Sequence, residues 1–222
     1  MLTNEAQVNR CTELFKSAYE NRYTWEPNFL GYAGNCSWTD GQKEINGSFI
    51  LGQDLRAIVK EIDDEQINKA ISSQLWEVAI HRVRRSFKQT HGKNTFTLGE
   101  QNELGSEVIV GGKNEGDIYR VKNNIVTMVH RHIHGSLIVI HTEDVLNTGE
   151  GYLSKSYSSQ YFDPISKKHI KEKNFYKDEF LPLEKEGPWV LVSRSIHQES
   201  SKGLILNKQV FSFSDLKSLN HT

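Results

Sequence analysis

From Asn94 onward the chain breaks into short apolar runs separated by turn residues, and this pattern limits the fold more than any other feature. Phe96–Gly99, Val108–Val110, Ile118–Val121, Ile125–His134 and Leu137–Val145 read as strands, followed by Tyr152–Phe162, His169–Phe180, Trp189–His197 and Leu204–Phe213. Asn123-Asn124, Gly135-Ser136, Asp163-Pro164 and Ser201-Lys202-Gly203 lie between them, all residues that reverse a chain at low cost. Strands joined by tight turns pair antiparallel, so this part predicts a long meander.

The first part of the chain is different. Asn4 to Tyr23 carries Cys11, Leu14, Phe15, Ala18 and Tyr19, the three- and four-residue spacing of an amphipathic helix. Pro27 disfavours the helical conformation at Glu26 and closes that segment. Gly31–Trp38, a turn at Asp40-Gly41, Glu44–Leu51 and Leu55–Ile62 then predict three strands. Asp63-Asp64 offers an N-cap for a second helix over Glu65 to Gln89, stopped by His91-Gly92. One of its stripes is Ile67, Ile71, Leu75 and Val78, and a second is Trp76, Ile80, Val83 and Phe87.

The expected class is therefore α+β and mostly antiparallel β: a curved sheet or unclosed β-barrel covered by two helices from the N-terminal half. No linker or repeat divides the chain, so residues 1–222 are expected to form one domain. A sheet covered by helices leaves either a packed core or a ligand cavity between them. If a cavity is present, Tyr23, Trp25, Phe29 and Trp76 sit at the helix–sheet junction and would line it.

Charge and cysteine content narrow the partners. A net charge of −1 gives no global attraction to nucleic acid, and none is expected as a partner. Two cysteines cannot build a disulfide scaffold and suit a reducing compartment. Met1–Cys11 is polar, without an apolar run of signal-peptide length, so the expected location is the cytoplasm. His81, Arg82, Arg84, Arg85 and Lys88 fall in the second half of the second helix. There, Arg82, Arg84 and Arg85 either contact an anionic membrane surface or an acidic partner, or simply complement the helix dipole. Lys167, Lys168, His169, Lys171 and Lys173, offset by Glu172, Asp178 and Glu179, read as a solvated hairpin edge.

The sharpest local feature is Val129–His141, VHRHIHGSLIVIH. A two-residue Gly135-Ser136 turn of type II′ sets His130 opposite His141 and puts His130, His132, His141 and Glu143 on one face. Three imidazoles so placed could ligate Zn, Cu, Fe or Ni, with Glu143 as a further ligand or general base. The same alternation also describes the wetter face of a half-buried hairpin, or a cavity wall that holds a polar head group or tetrapyrrole. No nucleophile elbow, P-loop, dinucleotide fingerprint or H-E-x-x-H motif is present, which weighs against an enzyme and names no cofactor.

The stretches Ala18–Trp25, Ser73–Trp76, His81–Phe87, Thr90–Asn94, His130–Gly135 and Asn147–Tyr152 resemble an uncharacterised family of cyanobacterial proteins of unknown function. That resemblance spans nearly the whole chain and implies a lineage. The element order is also similar to the lipoprotein-carrier fold, an unclosed barrel with helices as a lid that binds acyl chains in its concavity. It implies a non-enzymatic carrier of a hydrophobic molecule (a lipid, a pigment or a lipidated segment), and the resemblance to cyanobacterial proteins implies a link to photosynthetic membranes. Two other readings stay open: a metal-binding protein or metal-dependent enzyme using the histidine hairpin, and an assembly factor acting through its surface.

Overall fold

The computed structural model describes residues 4–185 and 187–220. In chain order the elements are α1 (Asn4–Glu20), β1 (Gly31–Thr39), β2 (Glu44–Gly52), β3 (Ala57–Lys60), α2 (Glu65–Ile80), α3 (Phe87–His91), β4 (Asn94–Asn102) and β5 (Gly105–Gly112). They continue as β6 (Ile118–Lys122), β7 (Ile125–Ile133), β8 (Ser136–Asn147), β9 (Tyr152–Phe162), β10 (Lys173–Pro182), β11 (Trp189–Glu199) and β12 (Ile205–Ser218). The protein is α+β, with twelve antiparallel strands in one unclosed sheet of order β3-β2-β1-β12-β11-β10-β9-β8-β7-β6-β5-β4. Among the described residues, no helix is long and apolar enough to cross a membrane.

Contacts divide the chain into two compact units, and it passes between them repeatedly. The first holds the residues up to Tyr23, Arg85–Phe175 and Glu199–Leu204; the second holds Thr24–Arg84, Tyr176–Gln198 and the residues from Ile205.

In the first unit, α1 lies against β4, β6, β7 and α3. Its expected stripe is the buried one: Cys11, Phe15, Ala18 and Tyr19 are in the core and Leu14 packs at its edge. Phe15 is the centre, with its ring 4.5 Å from Tyr119, 5.0 Å from His91, 5.3 Å from Phe96 and 5.7 Å from Phe87. The space under α1 is therefore filled by aromatic rings.

Two of the motifs quoted above meet here. The N–H of Tyr152 donates to the Asn21 carbonyl and the N–H of Tyr23 to the Tyr152 carbonyl, both at 2.9 Å. Gly151, at φ +145°, allows that approach, since a Cβ there would stand 2.6 Å from the Asn21 oxygen. The Gly149–Tyr152 turn thus fastens the end of α1 to β9.

In the second unit, β1 is paired on both sides, with β2 and β12. Pairing Tyr32 with Leu51, Gly34 with Phe49, Cys36 with Phe213 and Trp38 with Phe211 gathers one apolar face. Helix α2 buries Ile67, Ile71, Leu75, Val78 and Ala79 and packs on β3 and β1. Asp64 is its N-cap, its Oδ1 accepting N–H bonds from Gln66 at 3.1 Å and Ile67 at 3.2 Å. Asp64→Ala is expected to lower the urea unfolding midpoint, because it leaves both N–H groups without their acceptor.

A buried ion pair anchors the same helix. Arg194 on β11 donates Nε to Asp178 Oδ1 at 2.8 Å and Nη2 to Oδ2 at 2.7 Å. Its Nη1 donates to Gln74 Oε1 on α2 at 2.9 Å, with Glu77 3.3 Å away.

The second helix departs from expectation by ending at Ile80. The N–H groups of His81 and Arg82 turn back to Val78 and Ala79, and the Arg82 carbonyl accepts from Trp25 at 2.8 Å. Ser86 then opens α3 with a capping box to Gln89. The second apolar stripe is cut apart: Trp76 stays exposed on α2, and Phe87 enters the core of the other unit. The Asp40-Gly41 hairpin also differs, because Thr39 pairs with Glu44 and leaves a four-residue loop over 40–43.

Candidate functional site

A cleft of about 480 Å³ runs between α2 and β3, lined by Leu55, Arg56, Ala57, Asn68, Lys69, Ser72, Ser73 and Trp76. It exists because β3 is short and its approach is kinked. Leu55 takes φ 64° and the strand begins only at Ala57. Ser72 and Ser73 return their hydroxyl protons to the carbonyls of Asn68 and Lys69 at 2.9 and 2.7 Å. Asn68 donates its amide to Val59 O at 3.2 Å. With those polar groups satisfied, the open surface is the Trp76 indole, Leu55, Ala57 and the aliphatic stems of Arg56 and Lys69. Trp76 is 49% exposed, unusual for an indole on a helix whose opposite face is buried.

A second cleft, of about 410 Å³, is lined by Asn35, Cys36, Ser37, Asn46, Gly47, Glu61, Ser212 and Ser214. Its amides, hydroxyls and carboxylate do not suit an apolar guest. Cys36 offers no nucleophile there, since burial, then the Glu61 charge, pushes its thiol to about 11.

Of the other expected pocket residues, Tyr23 and Trp25 are core and Phe29 is half-buried. Trp25 is buried and donates its indole N–H to the Trp189 carbonyl at 2.9 Å. Its ring lies 5.0 Å from Phe29 and 6.1 Å from Tyr32, so Trp25 and Phe29 belong to a packed aromatic chain. Tyr23 is buried in the other unit. Of the four, Trp76 lines this cleft. Leu55, Arg56 and Lys69 were missed, because the sequence reading ran β3 through Leu55 and Arg56 and had no sign of where α2 would face.

The residues of the basic cluster differ in their surroundings. Arg82 is buried, with its guanidinium 5.6 Å from the Phe180 ring centroid. Arg84 pairs with Glu26 at 2.8 Å and bonds Thr24 at 3.1 Å. Arg85 is exposed but belongs to the other unit. The expected helix does not carry Arg82, Arg84 and Arg85, since it ends at Ile80, and of the three Arg82 is buried while Arg84 and Arg85 are exposed.

The histidine hairpin turns one residue early. His134 at φ 49° and Gly135 at φ 77° form the turn, and both positive values mark type I′. The register then slides by two residues, preserving the faces and changing the partners: His130 meets Val139, His132 meets Leu137, and His141 meets Met128. His130 and His132 remain together, ring centroids 5.8 Å apart, but His141 no longer stands across from them and Glu143 is exposed. Among the described residues, no three His, Cys, Asp or Glu side chains are grouped to hold a metal. The carboxylate beside the pair is Asp117, which the sequence reading missed. It is buried, accepts the His132 N–H at 3.1 Å and lies 3.4 Å from Arg131.

The histidine with the strongest perturbation is His91, in the Phe15 core. Burial first, then the Arg131 and Arg22 charges, lowers it from 6.5 to about 4, with Asp117 opposing. The folded state thus binds this proton less readily than the unfolded chain. Stability is complete above pH 6.5 and falls as pH drops toward about 4. The expected loss, followed by urea unfolding across that range, is about 3 kcal/mol, and His91→Phe should flatten the profile.

The chain belongs to the family described as "Protein of unknown function (DUF3386)", whose model matches residues 6–219. No curated protein matches it. Among solved structures it is similar to a putative outer membrane lipoprotein-sorting protein domain from Vibrio parahaemolyticus, at 7% identity and TM-score 0.35, over 95% of this chain and 93% of that one. It is also similar to a LolA superfamily protein from Nitrosomonas europaea, at 9% identity and TM-score 0.31, over 96% and 94% of the two chains. A DUF1329 family protein from Desulfovibrio piger follows at 9% identity and TM-score 0.27, covering 96% and 93%.

Proposed function

We propose that the chain is a non-enzymatic binding protein for an acyl-chain amphiphile, a lipid or a lipidated segment, seated in the α2–β3 cleft. The observation that carries this reading is the exposed Trp76 indole over a cleft whose rim holds two cations, Arg56 and Lys69. Its volume, about 480 Å³, falls within the range of small-ligand sites. Leu55, Ala57 and Trp76 would cover the chain, and the guanidinium and ammonium would meet an anionic head group. The Arg194 bond to Gln74 holds α2 in place, so the cleft exists before the ligand arrives and binding costs little ordering.

The test is native mass spectrometry of gently purified protein, with titration by an environment-sensitive apolar dye. The protein should carry an organic mass that leaves on denaturation, and the dye should bind saturably and be displaced by a long-chain fatty acid. Covering an indole face contributes about 1.5–2 kcal/mol by area, so Trp76→Ala should weaken binding roughly ten- to thirtyfold. Binding unchanged in that variant would remove the cleft as the site.

A further inference from the structure

We propose that the β9–β10 hairpin docks the protein onto the surface of an anionic lipid bilayer. Its tip presents Ile165, 90% exposed, the most exposed large apolar side chain among the described residues. An ordered turn holds it outward. Asp163 Oδ1 accepts the N–H groups of Ile165 at 3.1 Å and Ser166 at 2.6 Å, and the Asp163 carbonyl accepts from Lys167 at 2.9 Å. The N–H of Asp163 donates in return to the Lys168 carbonyl at 2.9 Å. Pro164 precedes Ile165, and Ile170, 48% exposed, follows on the return.

Residues 163–173 carry Lys167, Lys168, Lys171 and Lys173 against Asp163 and Glu172. Asp163 is already engaged by the turn. The segment thus carries a local excess of cations in a chain of net charge −1. Lys171 and Lys173 lie over the Tyr161 and Phe175 rings, at 5.1 and 4.6 Å, so their stems widen the apolar surface. The Ser200–Gly203 turn of the same unit repeats the chemistry, with Lys202 followed by Leu204, 63% exposed.

An apolar side chain at a convex tip, followed in the chain by flexible ammonium groups, fits a soft, diffusely negative surface into which the tip inserts. A folded partner would require a pocket for Ile165 and fixed carboxylates for each lysine. The interaction goes beyond ligand binding in the cleft, and uses other residues than those once expected to meet a membrane.

The experiment is cosedimentation of the full chain with vesicles of phosphatidylcholine, with and without phosphatidylserine. Binding is expected only with phosphatidylserine and should weaken as salt rises. Lys167→Gln with Lys168→Gln should weaken it roughly twentyfold, from about fivefold per cation near such a surface. Ile165→Ser should weaken it roughly tenfold, with both variants keeping the wild-type circular dichroism spectrum. Absence of wild-type binding, or equal binding by all three proteins, would overturn the proposal. So would a concentration-dependent dimer that Ile165→Ser abolishes, which would assign the tip to self-association.

Discussion

Replacing Arg194 by Met is expected to destabilise the protein by about 3–5 kcal/mol, because the change leaves a buried carboxylate without its cation. Asp178 and Arg194 are both almost completely buried, and two N–H···O bonds join them at 2.7 and 2.8 Å. Burial pushes the Asp178 carboxyl up, and the Arg194 charge and hydrogen bonds oppose that rise. Without Arg194 the folded-state carboxyl rises further above its unfolded value. The folded variant therefore binds the proton more tightly than the unfolded one. Its deficit is largest at neutral pH and shrinks as pH falls through the raised value.

Removing both partners separates the pair's net worth from the cost of breaking it. Arg194→Met with Asp178→Leu should recover most of the loss in urea unfolding, since well-packed apolar replacements of buried pairs are often near neutral. A double variant as unstable as the single one would mean that the Gln74 bond, rather than the lone carboxylate, dominates. Hydrogen exchange of the α2 amides reads that bond separately and should speed up in both variants, because both lose the tie from β11 to α2.

Phe15→Ala is expected to cost about 3–5 kcal/mol, the usual range for an aromatic ring deleted from a core. Phe15 is 1% exposed and touches four rings drawn from α3, β4 and β6. The midpoint of urea unfolding should fall with an unchanged slope. Trp76→Ala, by contrast, removes a half-exposed ring and should shift stability by less than about 1 kcal/mol. Phe15 and Trp76 thus separate the residues that hold the fold from the residue offered to a ligand.

Much of the fold was legible where local chemistry decides it. The stripe at Cys11, Phe15, Ala18 and Tyr19 buries as its spacing requires, Asp64 caps α2, and Asn123 and Asn124 take positive φ to turn β6 into β7. Two features were not decided by local chemistry. Residues 81–86 contain no glycine or proline, so nothing local marks the end of α2; the Trp25 N–H to the Arg82 carbonyl does so from elsewhere in the chain. The hairpin residues admit either Gly135-Ser136 or His134-Gly135 as the turn. Choosing the latter moved His141 away from His130 without moving either to the other face.

The candidate site was legible only in Trp76. The reading grouped aromatic residues by their nearness to one junction in sequence. The structure instead buried Tyr23 and Trp25, left Phe29 half-buried against the Trp25 and Tyr32 rings, and left Trp76 facing the cleft beside β3. The mixed charges of Lys167 to Lys173 describe a solvated edge and carry no sign of an apolar tip. The exposure of Ile165 appears only once the turn at Asp163 is built.

The most direct measurement is a fluorescence titration with a fatty acid brominated at mid-chain, comparing the wild-type protein with Trp76→Phe. Bromine quenches an indole only at contact, and Trp76 is the one tryptophan lining the α2–β3 cleft. The account predicts saturable quenching in the wild type that largely disappears in the variant. Absence of saturable quenching, or equal quenching in both proteins, would contradict it.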